Sequence, residues 1–329
     1  MSSMTRRSTL QMAATLAGLA ATPAVSTAAE AMDAAPDFDH LTVRHRTVKV
    51  GDLEIFYREA GRPDAPAILL LHGFPTSSHM FRHLIPALAD RYRVIAPDYP
   101  GFGNSSFPDR RDFTYSFANL AQTIAKFTDA VGLNRYAIYI QDYGAPVGLR
   151  LALLRPDRIA AIITQNGNAY EEGLSEGWDP LRAYWADPTP ENRATLAGWL
   201  GEAGTKLQYT AGVRQDQLER LSPDNWTLDW TKLARPGNAD AQIDLFGDYK
   251  TNVALYPAFQ RYFRERQPPT LILWGKNDPF FTVAGARAFL RDLPNAELDL
   301  IDASHFLLET HGPYAAYRIR RFLSDTLRG

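Results

Sequence analysis

Short runs of almost unbroken apolar residues at 67–71, 94–96, 137–140, 160–163 and 270–274 limit this chain to very few architectures. A strand that is apolar on both faces must be covered on both, which is the environment of a parallel sheet sandwiched between helices. Helix-period patterning fills the intervals, over residues 81–89, 117–131 and 144–154, and a closing amphipathic helix is expected over 314–327. Upstream, residues 41–48 and 53–57 read as half-buried strands joined by a turn at Gly51-Asp52. The expected fold class is α/β, with a mostly parallel, doubly wound sheet.

One stretch breaks the alternation. Residues 166–266 lack any buried-strand run, hold five of the six Trp, and are punctuated by Asp187-Pro188-Thr189-Pro190, Ser222-Pro223 and Arg235-Pro236-Gly237. They read as an inserted helical cap domain, a lid over the C-terminal ends of the strands, dividing the core into residues 40–165 and 267–329. Most of the aromatics in this lid are expected to be packing residues.

Residues 1–31 read as an address. Arg6-Arg7 precede an apolar run over 12–25, followed by small residues and an Ala29-Glu30-Ala31 step, the form of a bacterial export signal of the twin-arginine type. About 14 moderately apolar residues fall short of the ~20 that span a bilayer. The expectation is an exported protein, periplasmic or secreted, with no stable membrane insertion of the mature chain.

Composition removes several function classes. Lys+Arg 35 against Asp+Glu 37 leaves a net charge of −2, without the basic excess of a nucleic-acid binder. The chain has no Cys, which excludes disulfides, thiolate metal sites and a Cys nucleophile. Its seven His form no ligand-like cluster, and no Gly-rich phosphate loop follows a strand, so neither metal nor cofactor is expected.

The chemistry-bearing residues fall where strands end. Asp142 lies between the run ending at Ile140-Gln141 and a helix opened by Tyr143-Gly144-Ala145, the strand–turn–helix setting of a nucleophile elbow. Asp278 follows the strand ending at Trp274, and His305 follows the strand expected over 297–301. Each alone reads equally well as a cap or a packed residue. Together they stand at strand C-termini, where open α/β sheets place their sites. Upstream, His72-Gly73-Phe74-Pro75 follows a buried strand, and a cis Phe74-Pro75 bond would aim the Phe74 amide inward, to form an oxyanion hole with the Tyr143 amide. Asp98 to Gly103 is taken as turn chemistry.

These residues carry a resemblance. The stretches His72 to His79, Val94 to Asp98 with Gly101-Phe102-Gly103, Gln141 to Gly144, Trp274 to Asp278 and Ser304-His305-Phe306 resemble the α/β-hydrolase superfamily, in its epoxide hydrolase and haloalkane dehalogenase branch. The likeness covers roughly residues 45–327 and is weakest in the lid. It implies Asp142 as nucleophile, His305 as base and Asp278 as its acid partner. Two positions depart from the pattern: Ile140 stands where esterase members carry Gly, and Ser304 where Gly is common before the His.

An Asp nucleophile directs the chemistry. A carboxylate with a reference pKa of about 4 is ionised at neutral pH and attacks without a base. On an ester carbonyl it would give a reactive anhydride; on a saturated carbon it gives an ordinary ester, which water activated by His305 then hydrolyses. The expected substrate is therefore a small apolar epoxide or haloalkane, with water as co-substrate. The resemblance implies lid tyrosines for opening an epoxide, placed here at Tyr184 and Tyr256, with Tyr170 and Tyr249 as substitutes. Dehalogenases mostly carry Trp after the nucleophile and many carry Asn after the His-Gly pair, where this chain has Tyr143 and Phe74. Epoxide hydrolysis is the expectation. Dehalogenation stays open through Ile140-Gln141, which is similar to a dehalogenase elbow, and through Trp178 or Trp185 as a halide donor. A non-catalytic small-molecule receptor is the third reading.

Overall fold

The computed structural model describes residues 38–327; the export-signal reading of residues 1–31 lies outside them. Eight strands form one sheet: β1 Arg44–Val50, β2 Leu53–Ala60, β3 Ala67–Leu71, β4 Arg93–Pro97, β5 Tyr136–Gln141, β6 Ile159–Gln165, β7 Thr270–Gly275 and β8 Glu297–Ile301, in the order β1-β2-β4-β3-β5-β6-β7-β8. β1 and β2 form the antiparallel hairpin, turning at Gly51 with φ +60°, and β2 pairs antiparallel with β4. All remaining pairs are parallel. The fold is α/β with a mostly parallel sheet, as the apolar runs require.

The strand alternation divides the core into two layers. Leu69 and Leu71 face one cluster, while Ile68 and Leu70 face another. Helices α1 Leu84–Leu88, α2 Phe117–Ala130 and α3 Gly144–Leu154 precede the insertion, and α10 Val283–Asp292 and α11 Leu307–Thr326 follow it. Leu120, Ile124 and Phe127 of α2, Val147 and Leu151 of α3 and Phe289 of α10 cover the first face; Leu84 of α1 and Ile319 and Phe322 of α11 cover the second. Truncating one fully buried strand residue such as Leu70 to Ala costs about 2–5 kcal/mol, because the rigid neighbours on both faces leave a cavity. β1 at the edge is largely exposed and rich in Arg, His and Lys, which discourages edge-to-edge pairing.

Two helices differ from the sequence expectation. The segment expected over 81–89 is a 3-10 turn, Ser78–Phe81, followed by the five-residue α1, in which Pro86 lacks the N–H that would extend it. The closing helix starts at Leu307 rather than at Tyr314, because an extra turn continues across a kink at His311.

Between β6 and β7 the chain is helical: α4 Asp179–Ala186, α5 Pro190–Ala197, α6 Glu202–Thr210, α7 Pro223–Leu233, α8 Asn238–Asp248 and α9 Lys250–Arg266, with short 3-10 turns. Asp248 at the end of α8 reaches the core, accepting the Phe117 amide at 2.7 Å, so its charge meets the positive end of α2. Among the described residues no helix is long and apolar enough to cross a membrane.

Candidate active site

The turn from β5 into α3 places Asp142 in a left-handed conformation, φ +49°, which an aspartate adopts only when its surroundings impose it. The surroundings do so by close approach. A Cβ on Gly144 would lie 2.2 Å from the Leu71 carbonyl, and one on Gly73 would lie 2.4 Å from Asp142 Cβ. Gly148, one turn into α3, makes room for Ile140, which explains why the turn accepts that bulky residue.

The carboxylate of Asp142 is buried and met by backbone donors. The Phe74 amide donates to its Oδ1 at 2.6 Å, and the Tyr143 amide also hydrogen-bonds to the carboxylate. The Phe74-Pro75 bond is cis. His72 fixes this loop from behind: the Tyr99 amide donates to its Nε2 at 3.3 Å, leaving Nδ1–H to donate to the Gly73 carbonyl at 3.0 Å. Burial holds the His72 ring neutral, with its pKa lowered to about 4. Asp98 is a turn residue as expected, accepting the amides of Ser78 at 2.7 Å and Asn104 at 2.8 Å.

His305 and Asp278 lie on the loops after β8 and β7. Asp278 Oδ2 is 2.8 Å from His305 Nδ1, and both side chains are buried. Three rings enclose the imidazole: Phe281 nearly parallel at 5.9 Å, with Phe280 at 5.5 Å and Phe306 at 5.2 Å edge-on. Its other nitrogen, Nε2, is 2.9 Å from Nε2 of Gln141, the residue before Asp142. With Nδ1–H given to Asp278, that Nε2 is the basic lone pair, and Gln141 donates to it.

The charges act on one another. Burial raises the pKa of Asp142 to about 6, against the opposing influence of His305 and the two amides. The His305 pKa is also raised: burial opposes its charge, but Asp278, helped by Asp142, outweighs that. The structure thus brings Asp142, His305 and Asp278 into one electrostatic unit, with the Phe74 and Tyr143 amides on the first of them.

Asp142 opens onto a chamber beneath the inserted helices. Phe74, Tyr143 and Phe280 line it from the core, and Trp178, Leu181, Trp199, Gln208 and Phe246 from the inserted helices. The lid tyrosines take different places. Tyr184 lies against Gly247 near Arg110, away from the chamber wall. Tyr256 sits deeper, its hydroxyl accepting from Asn168 at 3.2 Å, and Tyr170 donates to Asp292 at 2.7 Å. Tyr249 stands nearest the reacting end: its ring is 6.1 Å from that of Tyr143 and 4.5 Å from Trp178. Its hydroxyl, next to that of Tyr256, is buried without a well-formed hydrogen bond. Burial first, then Tyr256 and Asp142, push its phenol well above the ordinary pKa. The indole N–H groups of Trp178 and Trp185 are both occupied, donating to the carbonyls of Phe280 at 2.9 Å and Phe246 at 2.7 Å.

Sequence reasoning passed over two residues that support the site. Asn166, at φ +46° just after β6, donates to Asp278 Oδ2 at 2.8 Å and to the Gly275 carbonyl at 3.1 Å, and accepts the Gly275 amide at 2.9 Å. Gln165 donates to the His305 carbonyl at 2.9 Å. The available signal was a polar pair ending an otherwise apolar strand. Ser304, where the resemblance led one to expect Gly, donates its hydroxyl to the Ala211 carbonyl of the insertion.

Comparison with known proteins agrees with this fold. The sequence profile described as the alpha/beta hydrolase fold matches residues 66–312. The chain is 45% identical over 277 residues to an uncharacterized hydrolase of Saccharomyces cerevisiae, covering 83% of this chain and 94% of that one. It is 29% identical over 275 residues to a haloalkane dehalogenase of Mycolicibacterium paratuberculosis, covering 81% and 86%. Among solved structures, the epoxide hydrolase VrEH1 from Vigna radiata superposes with a TM-score of 0.68 at 23% identity, covering 88% and 99%; that likeness is one of fold.

Proposed function

The chain belongs to the alpha/beta hydrolase fold family, and from that premise we propose that it is an epoxide hydrolase, adding water to a small apolar epoxide to give a diol. Asp142 is the nucleophile. Because Oδ1 is held by the Phe74 amide at 2.6 Å, Oδ2 is the oxygen free to attack a ring carbon. The strained C–O bond breaks, and the departing oxygen takes a proton from the Tyr249 hydroxyl, leaving a hydroxyalkyl ester on Asp142. His305 Nε2 then removes a proton from water, and the hydroxide adds to the ester carbon. The charge gathers on Oδ1, already held by the Phe74 amide with the Tyr143 amide also on the carboxylate; collapse expels the substrate oxygen, which takes the proton of the added hydroxyl, releasing the diol and restoring the Asp142 carboxylate. Asp278 stabilises the imidazolium, which returns its proton to the Tyr249 phenolate.

The observation that carries this reading over dehalogenation is the use of the donors. Trp178 and Trp185 have spent their N–H groups on backbone carbonyls, whereas the Tyr249 phenol, buried within the electrostatic reach of Asp142, meets only the Tyr256 hydroxyl. Dehalogenation is the second reading, favoured by Trp199, which lines the chamber and makes no indole hydrogen bond to any described residue. The test is a parallel measurement of diol formation and halide release from small epoxides and haloalkanes, with His305→Gln to trap the ester. The expected result is diol formation, and an adduct of epoxide mass on the peptide holding Asp142. Halide release without diol formation would refute the epoxide reading, and absence of any adduct would refute the covalent one.

A further inference from the structure

The wall of the chamber is mostly apolar, and beside the Tyr143 hydroxyl and the Trp199 indole it carries one primary amide. Gln208, on α6, lines it, is only 8% exposed, and makes no hydrogen bond to any described residue. The amide is the part of this side chain that stays accessible to the chamber, so a ligand that displaces water there and offers it no partner leaves it unsatisfied, at a cost on the order of 1–3 kcal/mol. Such a side chain is retained where a ligand completes it, since a few placed polar groups fix orientation in an otherwise greasy pocket.

The backbone that carries this amide is anchored. The next residue, Tyr209, stacks on Phe306 with ring centroids 4.0 Å apart and planes within 11°, and its hydroxyl donates to Asp229. Just beyond α6, the Ala211 carbonyl accepts from Ser304, and Gly212 approaches the Asn277 carbonyl so closely that a Cβ would lie 2.0 Å from it. Ser304 and Asn277 are the sequence neighbours of His305 and Asp278. Gln208 is therefore registered against the same two loops that carry the base and its acid partner.

We propose that Gln208 is a specificity-determining residue, whose amide N–H donates to an ether, hydroxyl or carbonyl oxygen that the substrate carries a few bonds from the reacting carbon. This rests on the epoxide reading and deepens it: the preferred substrates are oxygen-substituted epoxides of the glycidyl type rather than plain hydrocarbon epoxides. A hydrocarbon substrate leaves the amide dry and unpaired in the complex, which is the arrangement that discriminates most strongly between otherwise similar ligands.

The test compares phenyl glycidyl ether with 4-phenyl-1,2-epoxybutane, which differ by one oxygen replaced by a methylene, on the wild type and on Gln208→Met. The wild type is expected to favour the ether by about 5- to 100-fold in kcat/KM, the range that one buried amide bond supplies. Gln208→Met should bring that ratio close to one through KM, leaving the hydrocarbon epoxide unchanged or improved. A ratio unaltered by the substitution, or equal losses on both substrates, would overturn the proposal. If the wild type opens neither epoxide, the same ratio is read from capture of 2-phenoxyethyl bromide against 3-phenylpropyl bromide as an ester in His305→Gln. Ether selectivity there sinks the epoxide reading alone, and capture of neither bromide sinks both.

Discussion

Replacing Asp142 by Asn should make the protein more stable while abolishing turnover. The folded site raises the Asp142 pKa from 3.8 to about 6, chiefly by burial. The folded protein therefore holds this proton more tightly than the unfolded chain does. Between those two values stability falls as pH rises, and above pH 6 the cost of the ionised group is complete. At 1.36 kcal/mol per pKa unit the rise corresponds to about 3 kcal/mol, already net of the two amide hydrogen bonds and the imidazole. Asn keeps the size and the Oδ1 acceptor but carries no charge. At pH 8 the variant should unfold about 3 kcal/mol later than the wild type, roughly 6–12 °C in midpoint for a chain of this order of size. At pH 5, where most of the folded wild type carries the proton, the gap should shrink to about half of that. Thermal unfolding followed by tryptophan fluorescence at the two pH values measures it. A variant that is less stable at pH 8, or a gap that does not change with pH, would refute burial as the source of the perturbed carboxylate.

Three further outcomes are expected. Tyr249→Phe removes the proton donor to the epoxide oxygen and should slow adduct formation by about 10²–10³-fold, while leaving any halide release intact; rapid quench with mass spectrometry reads both. The two half-reactions should titrate differently. Alkylation needs ionised Asp142 and falls as pH drops through about 6, whereas hydrolysis needs neutral His305, whose pKa Asp278 raises above that of an ordinary imidazole, so single-turnover assays should show wild-type adduct accumulating as the imidazole becomes protonated. Asn166→Ala strips three hydrogen bonds around Gly275 and Asp278 and puts a Cβ-bearing residue without a capping side chain at φ +46°, for about 2–4 kcal/mol of destabilisation. It should also slow ester hydrolysis more than ester formation, which comparing the two single-turnover rates will show.

Much of this molecule is legible without coordinates. Unbroken apolar runs bounded by turn residues read as buried strands, and Asp142 and Asp278 stand just past two of them, with His305 just past the alternating strand β8. The lid was harder to read. Tyr249 and Tyr256 are seven residues apart, two helical turns, so periodicity puts them in one angular sector while separating them by about 10 Å along the axis. Only the packing of α9 against the core decides which of them stands beside Tyr143. Trp178 looked like a halide donor until the carbonyl of Phe280, 102 residues further on, was found to accept its N–H.

The sequence by itself determined the sheet, its covering helices and the loops that hold a carboxylate, an imidazole and a second carboxylate, because burying apolar strands leaves few arrangements. Tertiary structure alone decided which donors are spent and which are free: the indoles of Trp178 and Trp185, the phenol of Tyr249, the amides of Gln141, Asn166 and Gln208. A hydrogen bond depends on a few tenths of an ångström between residues distant in the chain, and no local pattern encodes that distance.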